Sequence, residues 1–245
     1  MMADRNSQVP VGIIGAMSME VESIIGEMTV EEKIVISGLE FYKGMYAGVS
    51  CVVVKCGVGK VNAAVCAQTV ILNFAPKLII NTGVAGGLGN VRIGDLVVSS
   101  ACVQHDFDTT VFGDKLGTLS IGSEEMIQIP CNEKAAGILL EEAEAVYGNA
   151  HTGVIATGDC FIASAERCRF LEKQFSARAC EMEGGSIAHV CYMNKTAVVI
   201  LRAISDNANE EGTVDFEAFV REAAEKSQKL LKAALPKLCE FIKEI

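Results

Sequence analysis

Thr196-Ala197-Val198-Val199-Ile200-Leu201-Arg202-Ala203-Ile204-Ser205-Asp206 contains the most apolar strand of the chain and decides its class. Thr196–Ile204 runs apolar without alternation. A strand with one wet face would alternate, so this one is buried on both faces, as in mostly parallel sheets covered by helices. Downstream lies a polar loop, 207–213. From Phe216 onward one long amphipathic helix is expected, kinked at Pro236. Upstream, Gly185–Met193 reads as a helix and Ala179–Met182 as a short strand. The alternation continues backwards: helix Ala163–Gln174, strand Thr152–Ala156, helix Glu133–Tyr147 and strand Asp95–Ser100. An irregular segment spans His105–Gly117. Earlier still come strand Leu78–Asn81, followed by a glycine loop Gly83–Gly89, and helix Gly59–Phe74, stopped by Pro76. Val61, Ala64, Val65, Gln68, Ile71 and Leu72 are expected to offer that helix a broad apolar face. Strands Glu40–Tyr46 and Cys51–Lys55 flank a turn at Gly48. Helix Ser18–Met28 follows the first strand, Val11–Ala16. Strands alternating with helices, with no repeat, linker or low-complexity tract, point to one α/β domain over 1–245, frayed over 1–9.

Bulk properties narrow the function. Hydrophobic residues make up 50% and charged residues 21% of 245, enough for a substantial core. The net charge of −10 disfavours nucleic acid and anionic membrane as partners. No apolar run is long enough to span a bilayer, and MMADRNSQVP does not read as a signal peptide. The 10 cysteines form no CxxC pair and the three histidines are far apart. Reduced thiols in a cytoplasmic protein, with no metal site, are expected.

Sheets of this kind bind ligands beyond the carboxyl ends of their strands. Four such ends carry polar groups that a structural chain would avoid. Asp206 lies just beyond the end of the apolar strand, with Arg202 inside it, either as a capped or paired group or as a functional one. Glu181 and Glu183 flank Met182 in CEMEGG, which on an extended strand puts both carboxylates on one face. Glu20 follows the first strand at a helix start, where a carboxylate also suits the helix dipole. Asn81–Gly87 (NTGVAGG) would let a ligand approach the backbone at Val84, Ala85 and Gly86. This glycine spacing is not that of a dinucleotide fold, and Gly57-Val58-Gly59-Lys60 lacks the upstream glycine and the Ser or Thr of a P-loop. No cofactor is therefore expected. Converging carboxylates beside a glycine-rich loop suit glycosidic bond cleavage.

The ordered set GIIGAM-x-x-E, INTG-x-AGG, TGDCFI, EMEG and RAISD resembles the methylthioadenosine/S-adenosylhomocysteine nucleosidases of the purine nucleoside phosphorylase superfamily, from about Val11 to Ile242. The resemblance implies a three-layer α/β fold with a central mixed sheet flanked by helices, and a homodimer. It implies hydrolysis of the N-glycosidic bond of 5'-thio adenine nucleosides. In that reading Asp206 is the acid that protonates adenine N7 and Glu20 the base that activates water. Glu183 accepts from the ribose hydroxyls beside Met182, and Arg202 helps hold the acidic site. Phe161 and Ile162 resemble the purine pocket; Met17, Val58 and Phe216 resemble the lining for sugar and 5'-alkylthio group. Phe112 matches a residue contributed by the partner subunit. Val84, Ser18, Met19, Asp114 and Lys115 depart from relatives in ways that bear on substrate preference. Competing readings are a phosphate-using nucleoside phosphorylase, an aminodeoxyfutalosine nucleosidase, and a non-catalytic nucleoside sensor. The intact Glu20, Glu183 and Asp206 set argues against the last, and the absence of Arg from Met17–Glu27 argues against the first.

Overall fold

The computed structural model describes residues 9–206 and 216–244. Its strands are β1 (Val11–Gly15), β2 (Thr29–Ile36), β3 (Leu39–Tyr46), β4 (Val49–Lys55), β5 (Leu78–Gly87) and β6 (Leu96–Gln104). They continue as β7 (Leu119–Ile121), β8 (Glu124–Met126), β9 (Ile129–Pro130), β10 (Ala150–Thr157), β11 (Ala177–Glu181) and β12 (Ala197–Asp206). The helices are α1 (Ser18–Glu27), α2 (Lys60–Phe74), α3 (Glu133–Tyr147), α4 (Ala165–Phe175), α5 (Gly184–Asn194) and α6 (Phe216–Glu244).

The central sheet runs β11-β10-β6-β12-β5-β1-β4-β3-β2, with β9 beside β6. It is mixed: β1 pairs parallel with β4 and β5, and β12 parallel with β5, while β12 meets β6 antiparallel. Side chains leave each inner strand in both directions. Val199, Leu201 and Ala203 pack with α3 and α6; Val198, Ile200 and Ile204 join the core under α2 and α5. That division explains why the run reads continuously apolar. A third cluster lies between α4 and β10–β11.

β5 is longer than the sequence suggests. The stretch expected as a glycine loop is strand as far as Gly87, and Gly86 and Gly87 pair antiparallel with Cys180 and Ala179 of β11. The sheet thus folds back on itself across β5, β12, β6, β10 and β11. The glycines permit this because side chains would collide: a Cβ on Gly87 would lie 2.9 Å from Ile204 Cγ2. The apolar face expected of α2 is not the one that meets the sheet. Val61, Val65 and Leu72 are exposed, and Ala63, Cys66, Ala67 and Val70 are buried instead. Those four repeat at i, i+3, i+4 and i+7, and small residues let the helix approach the sheet. Sequence reading missed β2, whose Glu31-Glu32-Lys33 sit on a solvent-exposed edge, and the short strands β7–β9. α6 continues through Pro236 without a break. The expected 207–213 loop lies outside the described residues, as does the 1–9 tail apart from Val9.

Candidate active site

β1 ends at Gly15 and the chain turns at once into α1, which places Glu20 in the helix's first turn. Its carboxylate is buried and held three ways. Oε2 accepts from the backbone N–H of Ala16 at 2.7 Å and of Met17 at 2.8 Å; Oε1 accepts from Val84 N–H at 3.1 Å. Gly83 makes room: a Cβ there would stand 2.5 Å from Oε1. Burial raises the Glu20 pKa, against the opposing pull of Arg202 and of the three N–H donors.

β11 delivers the acidic pair. The strand ends at Glu181, and Glu183 sits at the N-cap of α5, so the expected two-residue alternation does not apply; Glu181, Met182 and Glu183 all face one cavity. Glu181 Oε2 accepts from the N–H groups of Glu183 at 2.9 Å and Gly184 at 2.7 Å, and pairs with Arg202 Nη2 at 2.5 Å. Thr157 donates to its other oxygen. Burial would raise the Glu181 pKa, but Arg202 and these donors hold it below the usual carboxylate value. Arg202 is fully buried and also binds the carbonyl and side-chain oxygens of Asn81. Glu183 is different. Oε1 accepts from Gly59 N–H at 2.8 Å, and burial together with the Glu181 charge pushes its pKa up to about 7. One carboxylate is thus locked as an anion, and its neighbour is poised near neutrality.

Asp206 ends β12. Register slips between Ile204 and Asp206, which pair with the successive β5 residues Ala85 and Gly86. This irregularity turns both Ser205 and Asp206 to the cavity, where alternation would turn only one. Ser205 Oγ donates to Asp206 Oδ2 at 3.0 Å.

These groups meet around one cavity of about 240 Å³. Glu20, Glu181, Glu183 and Asp206 line it together with Met17, Val58, Val84, Ala85, Gly86, Phe161, Ile162 and Met182. The carboxylates come from opposite ends of the chain, and the fold gathers them. Sequence reading missed Ala16, Cys160, Cys180 and Ser205 as lining residues; each neighbours a residue it named, and only tertiary packing reveals them. Arg202, expected among the binding residues, does not line the cavity; it pairs directly with Glu181 behind the wall, and its charge also pulls on Glu20 and Glu183. Phe112, on a short 3-10 turn, is 85% exposed and does not line the cavity of its own chain. Phe216 opens α6, but its side chain lies outside the described residues. Among the described residues no group of three His, Cys, Asp or Glu is arranged to hold a metal ion.

A family model described as the phosphorylase superfamily matches residues 10–236. The 5'-methylthioadenosine/S-adenosylhomocysteine nucleosidase of Geobacillus kaustophilus is 42% identical over 230 residues, covering 91% of this chain and 95% of its own. A mutant Helicobacter pylori nucleosidase, solved with 5'-methylthioadenosine in its active site, superposes with a TM-score of 0.87 at 34% identity. It covers 93% of this chain and 98% of its own. The futalosine hydrolase of H. pylori strain 26695 superposes with a TM-score of 0.86 at 37% identity, covering 94% and 98%. On fold, cavity and sequence together, the chain belongs to the 5'-methylthioadenosine/S-adenosylhomocysteine nucleosidases of the phosphorylase superfamily, hydrolases of the N-glycosidic bond.

Proposed function

We propose that this cavity binds 5'-methylthioadenosine or S-adenosylhomocysteine, and that water cuts the bond between adenine and ribose. The observation that carries the mechanism is the convergence of Glu20, Glu183 and Asp206 on one cavity. Cleavage builds positive charge on the ribosyl ring and negative charge on adenine. Asp206 protonates N7, so that adenine leaves neutral. Glu183 accepts from the ribose hydroxyls, and its charge favours the oxocarbenium-like state. Glu20, raised in basicity by burial, orients water and takes its proton. Each proton transfer contributes roughly 10²–10⁴-fold. Phe161 offers a ring face to the purine and Ile162 a backbone edge; Met17 and Val58 give the 5' substituent an apolar wall. Among the described residues no Lys or Arg lines the cavity, which favours water over phosphate as nucleophile. Adenine release is followed with and without phosphate, in wild type and in Asp206→Asn. Unchanged turnover in the variant removes Asp206 from the mechanism, and strict phosphate dependence reverses the choice of nucleophile.

The likeness to futalosine hydrolase supports aminodeoxyfutalosine as a second substrate, since its adenine and ribose would meet the same residues. Turnover on it, compared with methylthioadenosine, S-adenosylhomocysteine and 5'-deoxyadenosine, ranks the four. We also propose a homodimer. Val111 and Phe112 project into solvent, and the exposed apolar stripe of α2 (Val61, Val65, Leu72) lacks a cover in the single chain. Sedimentation giving only monomer at micromolar concentration counts against it. The ten free cysteines support a reducing, cytoplasmic setting, and residues 1–245 are read as one nucleosidase domain.

A further inference from the structure

Beside the cavity, three side chains outside its lining close a ring. Lys60, at the start of α2, donates its backbone N–H to Asp159 Oδ1 at 2.7 Å. Asp159 N–H donates to Asp106 Oδ2 at 2.8 Å. Asp106 Oδ1 then accepts from Lys60 Nζ at 2.7 Å, which returns the ring to its origin. Lys60 Nζ also reaches Gln104 Oε1 at 3.3 Å. The three residues come from distant parts of the chain: the head of α2, the segment after β6, and the turn after β10.

Each corner supports a part of the site. Gly59 and Lys60 present two successive N–H groups at the positive end of α2. The first holds Glu183 Oε1 at 2.8 Å and the second holds Asp159. Gly59 has φ +98°, a conformation that side chains resist, and a Cβ there would stand 3.1 Å from Asp159 Oδ1. Asp159 is two residues before Phe161, so the ring sets the turn that carries Phe161 and Ile162 into the cavity. His105, next to Asp106, clamps the same turn: its N–H donates to Thr157 O at 2.9 Å, and its ring lies so close to Gly158 that a Cβ there would collide with Nε2. The Lys60 and Asp106 side chains keep 18% and 25% of their exposure, so solvent partly screens the pair and the backbone hydrogen bonds through Asp159 share the work of closing the ring.

We propose that Lys60 and Asp106 are positioning residues for the hydrolysis, holding the purine-binding turn and the N–H that anchors Glu183 as one rigid unit, so that base and sugar sit in fixed register. The inference rests on the reading above that Phe161 and Ile162 meet the base and Glu183 the ribose. Neither residue lines the cavity, so each acts through Asp159 and Gly59.

The test uses Asp106→Ala, Asp106→Asn, Lys60→Met and the double variant Lys60→Met/Asp106→Ala. Four quantities are read: kcat and KM for methylthioadenosine, the affinity for adenine alone by titration calorimetry, and Tm. Misplacing the turn by about 1 Å should lower kcat/KM roughly 10²-fold in Asp106→Ala. Adenine affinity should fall with it. Asp106→Asn keeps an oxygen for Asp159 N–H and should lose less. The double variant should be no worse than the poorer single one, because a ring breaks once. A purely structural role would lower Tm in all variants and leave kcat/KM and adenine affinity of the folded protein at wild-type values, and that result overturns the proposal. Losses that add in the double variant overturn it as well. Failure of the underlying reading looks different: wild type itself would release no adenine.

Discussion

Replacing Gly83 with alanine should disable Glu20 without removing a polar group. Gly83 lies in β5 outside the left-handed region, so alanine meets no backbone penalty and the effect is steric. The added Cβ would stand 2.5 Å from Glu20 Oε1 and 3.0 Å from its Cδ, where ordinary contact begins at 3.4 Å. The carboxylate must retreat by about 0.9 Å. Its bond from Val84 N–H is already 3.1 Å and would be lost. A buried N–H left unpaired costs about 1–3 kcal/mol in stability. A catalytic group displaced by about 1 Å costs on the order of 10²-fold, or about 2.7 kcal/mol of barrier. We therefore expect Gly83→Ala to stay folded, with Tm lowered by roughly 2–12 °C, and kcat/KM to fall about 100-fold. Adenine release from methylthioadenosine, measured beside Glu20→Gln, is the assay. If Gly83→Ala keeps kcat/KM within about twofold of wild type while Glu20→Gln is inactive, the placement of Glu20 is looser than these distances imply and the reasoning fails.

Glu183, raised from 4.5 to about 7, binds its proton better folded than unfolded; it stabilises the ligand-free protein below about pH 4.5, and that contribution is lost as pH rises through 7. Glu183→Gln should remove this pH dependence, worth up to about 3 kcal/mol, from thermal unfolding curves between pH 4.5 and 7. In wild type the acid limb of kcat/KM should show an apparent pKa near 7, since an anionic Glu183 accepts the ribose hydroxyls; a limb that persists unmoved in Glu183→Gln assigns it elsewhere. Arg202→Met leaves Glu181 as a buried, uncompensated charge, which costs about 3–5 kcal/mol and should lower Tm by roughly 10 °C or lose soluble protein; an unchanged melting curve contradicts the pairing. Phe112→Ala removes a side chain exposed in the single chain, so Tm of the protomer should hold while kcat/KM for methylthioadenosine falls; unaltered kinetics remove Phe112 from any shared site.

Much of the fold was legible because burial leaves periodic marks. The continuous run of β12 announced a strand covered on both sides, and Glu133–Tyr147 was readable as a helix to the residue. Where burial leaves no such mark, the sequence misled. The exposed edge strand β2 carries charges in place of a buried apolar pattern, and sequence reading missed it; α2 has apolar residues on both faces, so spacing could not say which face meets the sheet. Glycines in β5 read as a loop because their reason lies elsewhere in the chain, in Glu20 and Ile204 pressing on the strand.

The sequence alone determined which chemical groups stand at the strand ends: Glu20 and Glu183 lie after a strand and Asp206 at the end of one, and chain order places them there whatever the packing details. Tertiary structure decided what each group is. Glu181 and Glu183 are near-identical in sequence terms, yet Arg202, arriving from another strand and paired directly with Glu181, holds that pKa below the usual carboxylate value, while burial and the Glu181 charge raise that of Glu183 to about 7. Charge state depends on solvent exclusion and on partners distant in the chain, and local sequence carries neither.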